Sequence, residues 1–449
     1  MIYDNINESF RFLAFNPIFY HFFQAWATLF PLHELWKPLY LVDEISTIGR
    51  SNANTFPICH EEAGIKLGAI SKVQFAIRKS GDGTVLVDKS TNGTFVNGLK
   101  VGFDKSKLLQ HNDLISLINP SQSQFIFLKT GSSFCHEDYP EELKEKCIIS
   151  RELGAGAFGV VKLGILKQHR SSKPVAIKII NKIKFPCEVE KQKESNKILN
   201  EVTILKSLTH PNIIKLWDVV EVSSHLYIIL EYANGGELFD NVVQESKLPE
   251  ERAKLYFYQI VKAVQHMHQN RVVHRDMKLE NVLLCYRNNE DIPSLVKVTD
   301  FGLSKMINNE TFLKTICGTK LYIAPEIIRS TMEDYNGQIE YDAKVDMWSL
   351  GVILYILLSG SPPFDKHFAG KTIELQICDG DFSFPKSLRT EISFEAIDLV
   401  KHLMVVNSQK RFDCVQTLKH DWLIDPGMLD KAHLVIENER KLIRGSELN

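Results

Sequence analysis

Five short motifs follow one another in a fixed order along the second part of the chain, and they constrain its fold more than any other feature. A glycine-rich run, LGAGAFGVV, is followed by VAIK, HRDMKLEN, DFG and APE. The glycine-rich run alone is a weak signal, because dinucleotide-binding folds use a similar string. In this order, with long helical patterns such as ERAKLYFYQIVKAVQHMHQN between them, the motifs predict an α+β domain of two lobes, the first rich in strands and the second in helices.

The first two motifs carry residues suited to holding phosphate groups, because phosphoryl transfer depends mostly on positioning and charge neutralisation. Glycines allow backbone N–H groups to close over the phosphates. Lys178 of VAIK is predicted to hold the α and β phosphates of a nucleotide, and Glu201 is predicted to fix Lys178 through an ion pair. The nucleotide-binding residues predicted in the glycine-rich run are Leu153, Gly154, Ala155, Gly156, Ala157, Phe158, Gly159, Val160 and Val161.

The later motifs carry the predicted catalytic and metal-binding groups. Asp300 of DFG and Asn281 of HRDMKLEN are predicted to hold Mg²⁺, which prefers oxygen ligands. Asp276 is predicted to accept the proton of a substrate hydroxyl, and Lys278 is predicted to neutralise the transferred γ-phosphoryl group. A single Asp or Lys of this kind is often only a structural ion pair. The ordered set favours the catalytic interpretation.

Residues 147–425 therefore resemble a eukaryotic protein kinase catalytic domain, and the Lys of HRDMKLEN resembles the Ser/Thr subgroup more than the Tyr subgroup. The resemblance implies ATP and Mg²⁺ as cofactors and protein serine or threonine residues as substrates. It implies an adenine-contacting hinge at Glu231 and Ala233, after a gatekeeper-like Leu230. It also implies that Glu237 contacts ribose and receives a basic residue upstream of the target, so an Arg three positions before the phosphorylated residue is expected.

The segment from Leu303 to Tyr322 corresponds to the activation loop in this resemblance. A phosphate adds about −1.5 to −2 charges, so a phosphothreonine there would order the loop against Arg275 of the HRD motif. Thr315 is the predicted switch. Thr319 is a second predicted phosphorylation site, with the alternative that its hydroxyl contacts the catalytic Asp and Lys without being modified.

Two residues depart from the kinase pattern, and neither removes a charge or a metal ligand. Leu279 stands where many such kinases have Pro, and Lys320 stands where the CGT motif continues with Pro. The departures concern loop conformation and not activity. Asp346 and Arg411 resemble residues that brace the catalytic loop and pair with Glu326, which is a structural role.

The region from Lys37 to Lys129 contains short alternating apolar runs separated by Gly and Asn-Gly turns, which indicates an antiparallel β-sandwich. One bend, DKSTNGTFVNG, is crowded with short polar groups. Asn-Gly pairs alone usually mean only a tight turn. The bends of a sandwich gather at one end, however, where an Arg fork, hydroxyl donors and an amide would form a phosphate socket. The predicted phosphothreonine-binding residues are Arg50, Ser71, Lys72, Thr91 and Asn92.

This arrangement resembles the forkhead-associated (FHA) domain, which reads phosphothreonine peptides. One motif residue departs, because Gln74 occupies the place of His in the pattern SxxH. In the resemblance, His at that place supports the loop, so Gln74 is expected to loosen it. Gln retains a donor and an acceptor, however, and we expect recognition to survive. The alternative is a sandwich that serves only as a dimerisation module.

Composition excludes several classes of function. Lys and Arg total 53 against 55 Asp and Glu, a net charge of −2, so the chain lacks the basic field of sequence-independent nucleic-acid binding, and no direct nucleic-acid partner is expected. The eight cysteines lack metal-ligand spacing, which favours reduced thiols without zinc or disulfides. Polar residues such as Arg11 and Gln24 interrupt the aromatic run from Phe10 to Phe30, so a segment docked on the next domain or poorly ordered is expected in place of a membrane span.

The predicted organisation is an aromatic-rich segment (1–36), an FHA domain (37–130), a charged linker (131–146), a protein kinase domain (147–425) and a C-terminal tail or helix (426–449). The combination resembles the DNA-damage checkpoint kinase 2 family. That resemblance implies cell-cycle or meiotic checkpoint signalling in the nucleus and also the cytoplasm. It implies a phosphothreonine-bearing adaptor or a sister molecule as partner, and a transient homodimer in which two kinase domains phosphorylate each other.

Three points stay open at this stage. The first 37 residues lack the Ser-Gln and Thr-Gln cluster usual in that family, so nothing in them favours activation by a Gln-directed upstream kinase. A phosphopeptide-binding scaffold with an inactive kinase domain is an alternative from another class, although all the charged motif residues are intact. A calmodulin-dependent-type kinase outside checkpoint signalling is the other, since such kinases resemble the second domain only.

Overall fold

The computed structural model describes residues 25–32, 36–58, 67–81, 83–120, 123–130, 139–156, 159–167, 173–182, 206–285, 293–300, 320–332, 342–365 and 370–447. These residues belong to two compact units, which divide near Ala155 and Ile177. The predicted residues that lie outside the described ranges are Ala157, Phe158, Glu201, Thr315 and Thr319.

The N-terminal domain consists of two β-sheets. Its strands are β1 (Ala27–Pro31), β2 (Leu39–Leu41), β3 (Ile45–Gly49), β4 (Phe56–Pro57), β5 (Phe75–Ser80), β6 (Gly83–Asp88), β7 (Thr94–Val96), β8 (Leu99–Lys100), β9 (Ser106–Leu109), β10 (Leu114–Leu117) and β11 (Ser123–Lys129). One sheet has the order β2-β1-β11-β10-β7-β8, and the other has the order β4-β3-β5-β6-β9. Neighbouring strands are antiparallel except β3 and β4.

Alternation of apolar and polar residues explains why these segments form strands with one buried face. In β5 the side chains of Phe75 and Ile77 are fully buried, whereas Arg78 is exposed. Phe125 and Phe127 of β11 point into the same core. Full burial of a large apolar side chain stabilises the fold by roughly 1.5–3 kcal/mol, so this core holds the two sheets together and fixes their register.

The sandwich begins before the boundary expected at residue 37. Strand β1, Ala27–Pro31, pairs with β2 on one side and with β11 on the other, so it is an interior strand of its sheet. The sequence pattern hides this strand, because four of its five residues are buried and no alternation marks it within the aromatic run. Trp36 packs edge-on against Phe125 at 4.8 Å between ring centroids.

The second domain begins with a strand-rich part. Helix α1 (Glu141–Lys146) precedes strands β12 (Cys147–Gly156), β13 (Gly159–Leu166), β14 (Lys173–Asn181), β15 (Leu216–Glu221) and β16 (His225–Glu231). The sheet has the order β12-β13-β14-β16-β15. Gly159 has a φ of 148°, and a Cβ there would lie 1.9 Å from the carbonyl oxygen of Ile179. Only glycine therefore allows this approach of the two strands.

The remainder of the domain is mainly helical. Its helices are α2 (Leu238–Glu245), α3 (Glu250–Gln269), α4 (Pro325–Met332), α5 (Lys344–Ser359), α6 (Ile373–Asp379), α7 (Phe394–Leu403), α8 (Cys414–Leu418) and α9 (Pro426–Glu447). A two-stranded sheet, β17 (Val282–Cys285) with β18 (Leu295–Val298), accompanies them. The strand-rich part followed by helices confirms the predicted α+β kinase fold, which follows the β-sandwich in the sequence.

Local sequence signals set the ends of several helices. Thr372 and Ser393 cap α6 and α7 by accepting a backbone N–H, and Asp413 with Gln416 forms a capping box at α8. Helix α5 ends at Gly360, whose φ of 72° is left-handed. Because all but the first and last residues of α5 are buried, this helix is the centre around which the other helices pack.

The expected C-terminal tail is the 22-residue helix α9, which packs on α3. The linker predicted at residues 131–146 ends in helix α1, whose charged residues form ion pairs three and four positions apart. Within the described residues, no helix has the length and apolar character needed to span a bilayer.

Candidate functional site

The loop between α3 and β17 brings three predicted residues together around one carboxylate. Lys278 Nζ lies 2.9 Å from Asp276 Oδ2. Asn281 Nδ2 donates to the same oxygen at 3.1 Å and to the backbone carbonyl of Asp276 at 2.7 Å. The carboxylate of Asp276 is thus held by two donors in a fixed orientation, with a positive charge beside it. This is the geometry required of a group that accepts a proton near an incoming anion.

Asp346 of α5 holds this loop in place through hydrogen bonds. Its two oxygens accept the backbone N–H groups of His274 at 2.9 Å and Arg275 at 2.8 Å, and its Oδ2 lies 2.8 Å from His268 Nε2. These bonds stabilise Arg275 in a left-handed conformation, with φ of 71°, that non-glycine residues seldom adopt. Burial alone would raise the pKa of Asp346, but the hydrogen bond and charge of His268, with those of His274, outweigh it and hold the pKa below its ordinary value.

Lys178 and Asp300, predicted to bind phosphates and metal, form an ion pair. The Nζ–Oδ2 distance is 2.8 Å, and Lys178 is almost completely buried. Burial would raise the pKa of Asp300, but the charge and hydrogen bond of Lys178 dominate and lower it, so the carboxylate is kept ionised. Asp300 also has a left-handed φ of 63°, a strain that directs its side chain toward Lys178.

The donor set fits Mg²⁺. The amide nitrogen of Asn281 is committed to Asp276, so its carbonyl oxygen is the atom available to coordinate a cation. The backbone N–H of Thr299 donates to the backbone carbonyl of Asn281 at 2.9 Å. This bond ties Asp300, the residue after Thr299, to the same loop. A carboxylate and an amide oxygen are the ligand types that a hard cation takes.

An acidic cluster that the sequence analysis recognised only in part lies beside this loop. Partial burial, followed by the charges of Asp240, Glu280 and Asp300, raises the pKa of Glu237. Glu280 stands within HRDMKLEN, but the motif predicts no role for it. Its Oε2 atom is buried and has no hydrogen-bond partner among the described residues. A buried carboxylate oxygen without a donor is costly, and a bound cation would supply that donor.

The predicted hinge begins at Glu231, whose side chain is occupied by a structural contact. Its backbone N–H donates to the carbonyl of Lys215 at 2.9 Å, and its carboxylate lies 2.8 Å from Lys297 Nζ. Contact with an adenine ring would therefore use the backbone from Glu231 to Ala233. The hinge ends at Gly235, where a Cβ would lie 2.4 Å from the carbonyl oxygen of Leu284.

Of the predicted glycine-rich run, the described residues lie at the end of β12 and the start of β13. Leu153, Gly154 and Ala155 are exposed, whereas Val160 and Val161 are partly buried. No atom lies within 4 Å of the position that a Cβ of Gly154 would occupy, so close packing does not require glycine there.

Both departures from the kinase pattern make their own contacts. Leu279 is fully buried in a single 3₁₀ turn, and its backbone N–H, which a Pro would lack, interacts with the Tyr322 hydroxyl. Lys320 Nζ lies 2.7 Å from Glu374 Oε1 on α6. This hydrogen bond is the main reason that the pKa of Glu374 is lowered.

Arg411 links the end of the activation segment to the helical core. Its guanidinium makes two parallel contacts with Glu326, Nη1–Oε1 at 2.8 Å and Nη2–Oε2 at 2.9 Å. It also donates to the carbonyl of Val405 at 2.9 Å and lies over the ring of Trp348 at 5.2 Å. A buried, bidentate and stacked Arg is a structural anchor, as the sequence pattern predicts.

In the sandwich, the predicted phosphothreonine-binding residues lie on three neighbouring bends. Thr91 N donates to Ser71 Oγ at 2.9 Å, and the hydroxyls of Ser71 and Thr91 are 3.4 Å apart. The backbone N–H of Arg50 donates to the carbonyl of Ser71 at 3.1 Å, and Asn92 Nδ2 donates to the carbonyl of Ala69 at 2.8 Å. The side chains of Arg50, Lys72, Thr91 and Asn92 are exposed. The bends therefore present two cationic side chains, an amide and the hydroxyl of Thr91 to solvent.

Gln74 performs the supporting role expected of the missing His. It is fully buried, its Oε1 accepts the backbone N–H of Ser71 at 2.9 Å, and its Nε2 donates to the carbonyl of Gly93 at 2.9 Å. One side chain thus joins the Ser71 bend to the Asn-Gly bend. Gly49 permits the third bend to approach, because a Cβ there would lie 2.4 Å from the carbonyl oxygen of Lys72.

One group of potential metal ligands lies far along the chain from these motifs. A carboxylate and two imidazoles, from Asp398, His402 and His420, approach within 4.8 Å of one another. His420 Nδ1 accepts the backbone N–H of Trp422 at 3.3 Å, so its Nε2 carries the proton and faces Asp398 at 3.1 Å. That tautomer suits a helix-capping ion pair and does not suit a metal ligand.

Comparison with known proteins identifies both domains. A protein kinase domain model matches residues 148–423, and an FHA domain model matches residues 46–118. The chain belongs to the checkpoint kinase 2 family of FHA-containing serine/threonine protein kinases. It is 35% identical to the ovarian-specific serine/threonine-protein kinase Lok of Drosophila melanogaster over 395 residues, 86% of this chain and 80% of Lok. It is 35% identical to the serine/threonine-protein kinase chk-2 of Caenorhabditis elegans over 362 residues, 79% of this chain and 72% of chk-2.

The crystal structure of Rad53 1-466 in complex with AMP-PNP is similar in fold. The TM-score is 0.51 at 25% sequence identity, and the match covers 89% of this chain and 100% of that one. These comparisons confirm the predicted family, the fold class and an ATP-dependent serine/threonine protein kinase.

Proposed function

We propose that this kinase phosphorylates serine or threonine three residues after an Arg, and that its FHA domain recruits it to phosphothreonine in checkpoint signalling. The observation that supports the substrate preference is the buried Oε2 atom of Glu280, which lacks a donor among the described residues. The charge of Glu280 also contributes to the raised pKa of Glu237. Two neighbouring carboxylates, one of them desolvated, form a site whose missing component is a cation. A guanidinium fits it because it donates in a planar fork.

The catalytic residues have separable tasks in this proposal. Asp276 accepts the proton of the substrate hydroxyl, and Lys278, 2.9 Å from that carboxylate, neutralises charge on the transferred phosphoryl group. Lys178 holds the nucleotide phosphates. Asn281 and Asp300 are the residues that would hold Mg²⁺, which supplies charge neutralisation at the phosphates when bound.

The substrate preference is tested by ³²P transfer to two peptides that differ only by Arg or Ala at the third upstream position. A hydrogen bond to a charged group contributes roughly 1.5–3 kcal/mol, so Glu280→Gln should lower kcat/KM for the Arg peptide by about tenfold or more. The Ala peptide should change by less than about threefold, and Glu251→Gln, an exposed carboxylate at the start of α3, should alter neither. Equal losses on both peptides would refute the assignment.

The phosphothreonine proposal rests on the exposed Arg50, whose backbone N–H donates to the carbonyl of Ser71, and on the neighbouring hydroxyls of Ser71 and Thr91. Fluorescence polarisation with a phosphothreonine peptide measures it directly. Arg50→Ala should weaken binding by about tenfold or more, because it removes a charge-assisted contact. Arg78→Ala, an exposed Arg on β5, is the matched control. Unchanged affinity in Arg50→Ala would favour a plain dimerisation module.

We propose that phosphothreonine binding also brings two copies together in the nucleus and cytoplasm, so that each phosphorylates Thr315 and Thr319 of the other. Tethering raises the local concentration of kinase domains without altering the active site. Mixing active protein with a tagged Asp300→Ala copy and mapping phosphosites by mass spectrometry tests this. Phosphate on the tagged inactive copy is the expected result, and its absence would exclude reaction between copies.

A further inference from the structure

Helix α9 carries a charged residue at a position where the helix is otherwise apolar. Ala432, Val435, Ile436 and Glu439 follow the helical spacing of a single face, and all four are buried. Glu439 is only 6% exposed. A carboxylate on such a face is costly unless a cation meets it, so its partner shows what the position does.

The partner of Glu439 is Lys297 of β18, which is 2% exposed. Its ammonium lies 2.9 Å from Glu439 Oε1 and 2.8 Å from Glu231 Oε1. Glu231 in turn accepts the backbone N–H of Lys215 at 3.1 Å. One buried ammonium therefore joins the first residue of the hinge to the C-terminal helix, whose Glu439 lies 142 positions after Lys297 in the sequence.

The surrounding charges make this link dependent on Glu439. His210, buried nearby, has its pKa lowered to about 3 by burial first and then by the positive charges of His266, Arg440, Lys262 and Lys297. The positive charges of Lys297, Lys262 and Arg440 act on the same buried histidine. The carboxylates of Glu231 and Glu439 supply negative charge at Lys297. Without Glu439, Glu231 would be the one carboxylate paired with Lys297 among the residues that the structure describes.

We propose that Glu439 is a positioning residue for the nucleotide site. Through Lys297 it fixes the carboxylate of Glu231, and with it the backbone of the hinge that meets the adenine ring. The inference rests on the proposed hinge contact from Glu231 to Ala233. The match to the protein kinase domain ends at residue 423, so α9, which carries Glu439, lies outside the matched domain.

Steady-state ³²P transfer by the full chain tests this with Glu439→Gln. Coupling through a packed network typically changes affinity severalfold, so KM for ATP should rise about three- to tenfold while kcat stays within about twofold. Glu437→Gln is the matched control, because Glu437 is an exposed carboxylate on the same helix and pairs with Arg440. A purely structural role would lower thermal stability without this separation of KM from kcat.

A double-mutant cycle identifies the route. In a Lys297→Met background, Glu439→Gln should leave KM for ATP unchanged, because the connecting ammonium is absent. Additive effects would overturn the proposed route through Lys297.

Hydrogen exchange of the unmodified chain gives a readout that needs no variant to fold. Coupling between two sites is reciprocal, so Mg·ADP should slow amide exchange in residues 432–440. Exchange there that is unaffected by Mg·ADP would overturn the proposal. A wild-type chain that neither transfers phosphate nor binds Mg·ADP would refute the proposed function as well. Normal wild-type activity with equal KM in Glu439→Gln and Glu437→Gln would refute only this inference.

Discussion

Replacing Gln74 by Ala tests whether one buried amide supports the phosphothreonine site. The substitution leaves the backbone N–H of Ser71 and the carbonyl of Gly93 without their present partners. The carbonyl of Gly93 still accepts the backbone N–H of Ile118 at 3.0 Å, so it loses one hydrogen bond of about 0.5–1.5 kcal/mol. The N–H of Ser71 loses its acceptor, and an unsatisfied buried donor costs about 1–3 kcal/mol, so the two losses together cost roughly 1.5–4.5 kcal/mol. Water entering the space left by the side chain would satisfy part of this requirement. We therefore expect a loss of about 2–3 kcal/mol in local stability.

Hydrogen exchange measured by mass spectrometry reports that loss at the two bends themselves. Because 1.4 kcal/mol is a factor of ten, the amides between Ser71 and Thr94 should exchange roughly 30- to 150-fold faster in Gln74→Ala. Gln74→His should restore most of the protection, since imidazole also offers one donor and one acceptor. Gln110→Ala, an exposed Gln in the same domain, is the control. Exchange within about twofold of wild type in Gln74→Ala would refute the reasoning.

Three further predictions concern the kinase domain. Asp276→Asn should lower the rate of ³²P transfer by about 10²- to 10⁴-fold without weakening ADP binding, measured by calorimetry. Glu326→Gln leaves the buried Arg411 uncompensated and should destabilise the domain by about 3 kcal/mol in thermal unfolding, whereas Glu374→Gln, which loses an exposed pair, should cost less than about 1 kcal/mol. The pKa of His210 is about 3 in the folded state and about 6.5 in the unfolded state, so between these values the unfolded chain binds one more proton than the folded chain. The free energy of unfolding should therefore fall by about 1.4 kcal/mol for each pH unit as the pH drops through that window. His210→Asn should flatten this dependence of stability on pH, and an unchanged dependence would contradict its assignment to His210.

Sequence order was enough to predict the catalytic loop because its parts are neighbours in the chain. Asp276, Lys278 and Asn281 lie within six residues, and a single loop brings them to one carboxylate. Lys178 and Asp300 are 122 positions apart, yet each is marked by its own motif, so the family resemblance predicts a common site for them. Their roles remain predictions that the proposed variants test.

Other features had no local signal in the sequence. Strand β1 was hidden because it is buried on both faces, so its residues look like the rest of the aromatic run before residue 37. Glu280 was passed over because a Glu next to Asn281 carries no spacing that separates it from a solvated residue. What distinguishes Glu280 is its buried Oε2 atom, which has no hydrogen-bond partner in the described part of the chain.

Buried charge gives the general reason for this division. A charged residue on an otherwise apolar helical face, such as Glu439, indicates that a partner of opposite charge exists. It does not indicate where that partner lies, because packing between distant elements decides which residues pair. Lys297 sits in an apolar strand pattern in the same way. Glu439 and Lys297 each interrupt the apolar pattern of their own element. In the fold their charges compensate each other, together with that of Glu231. Sequence periodicity therefore predicts the two faces, whereas the connection between the C-terminal helix and the hinge emerges only when both faces are placed in the fold.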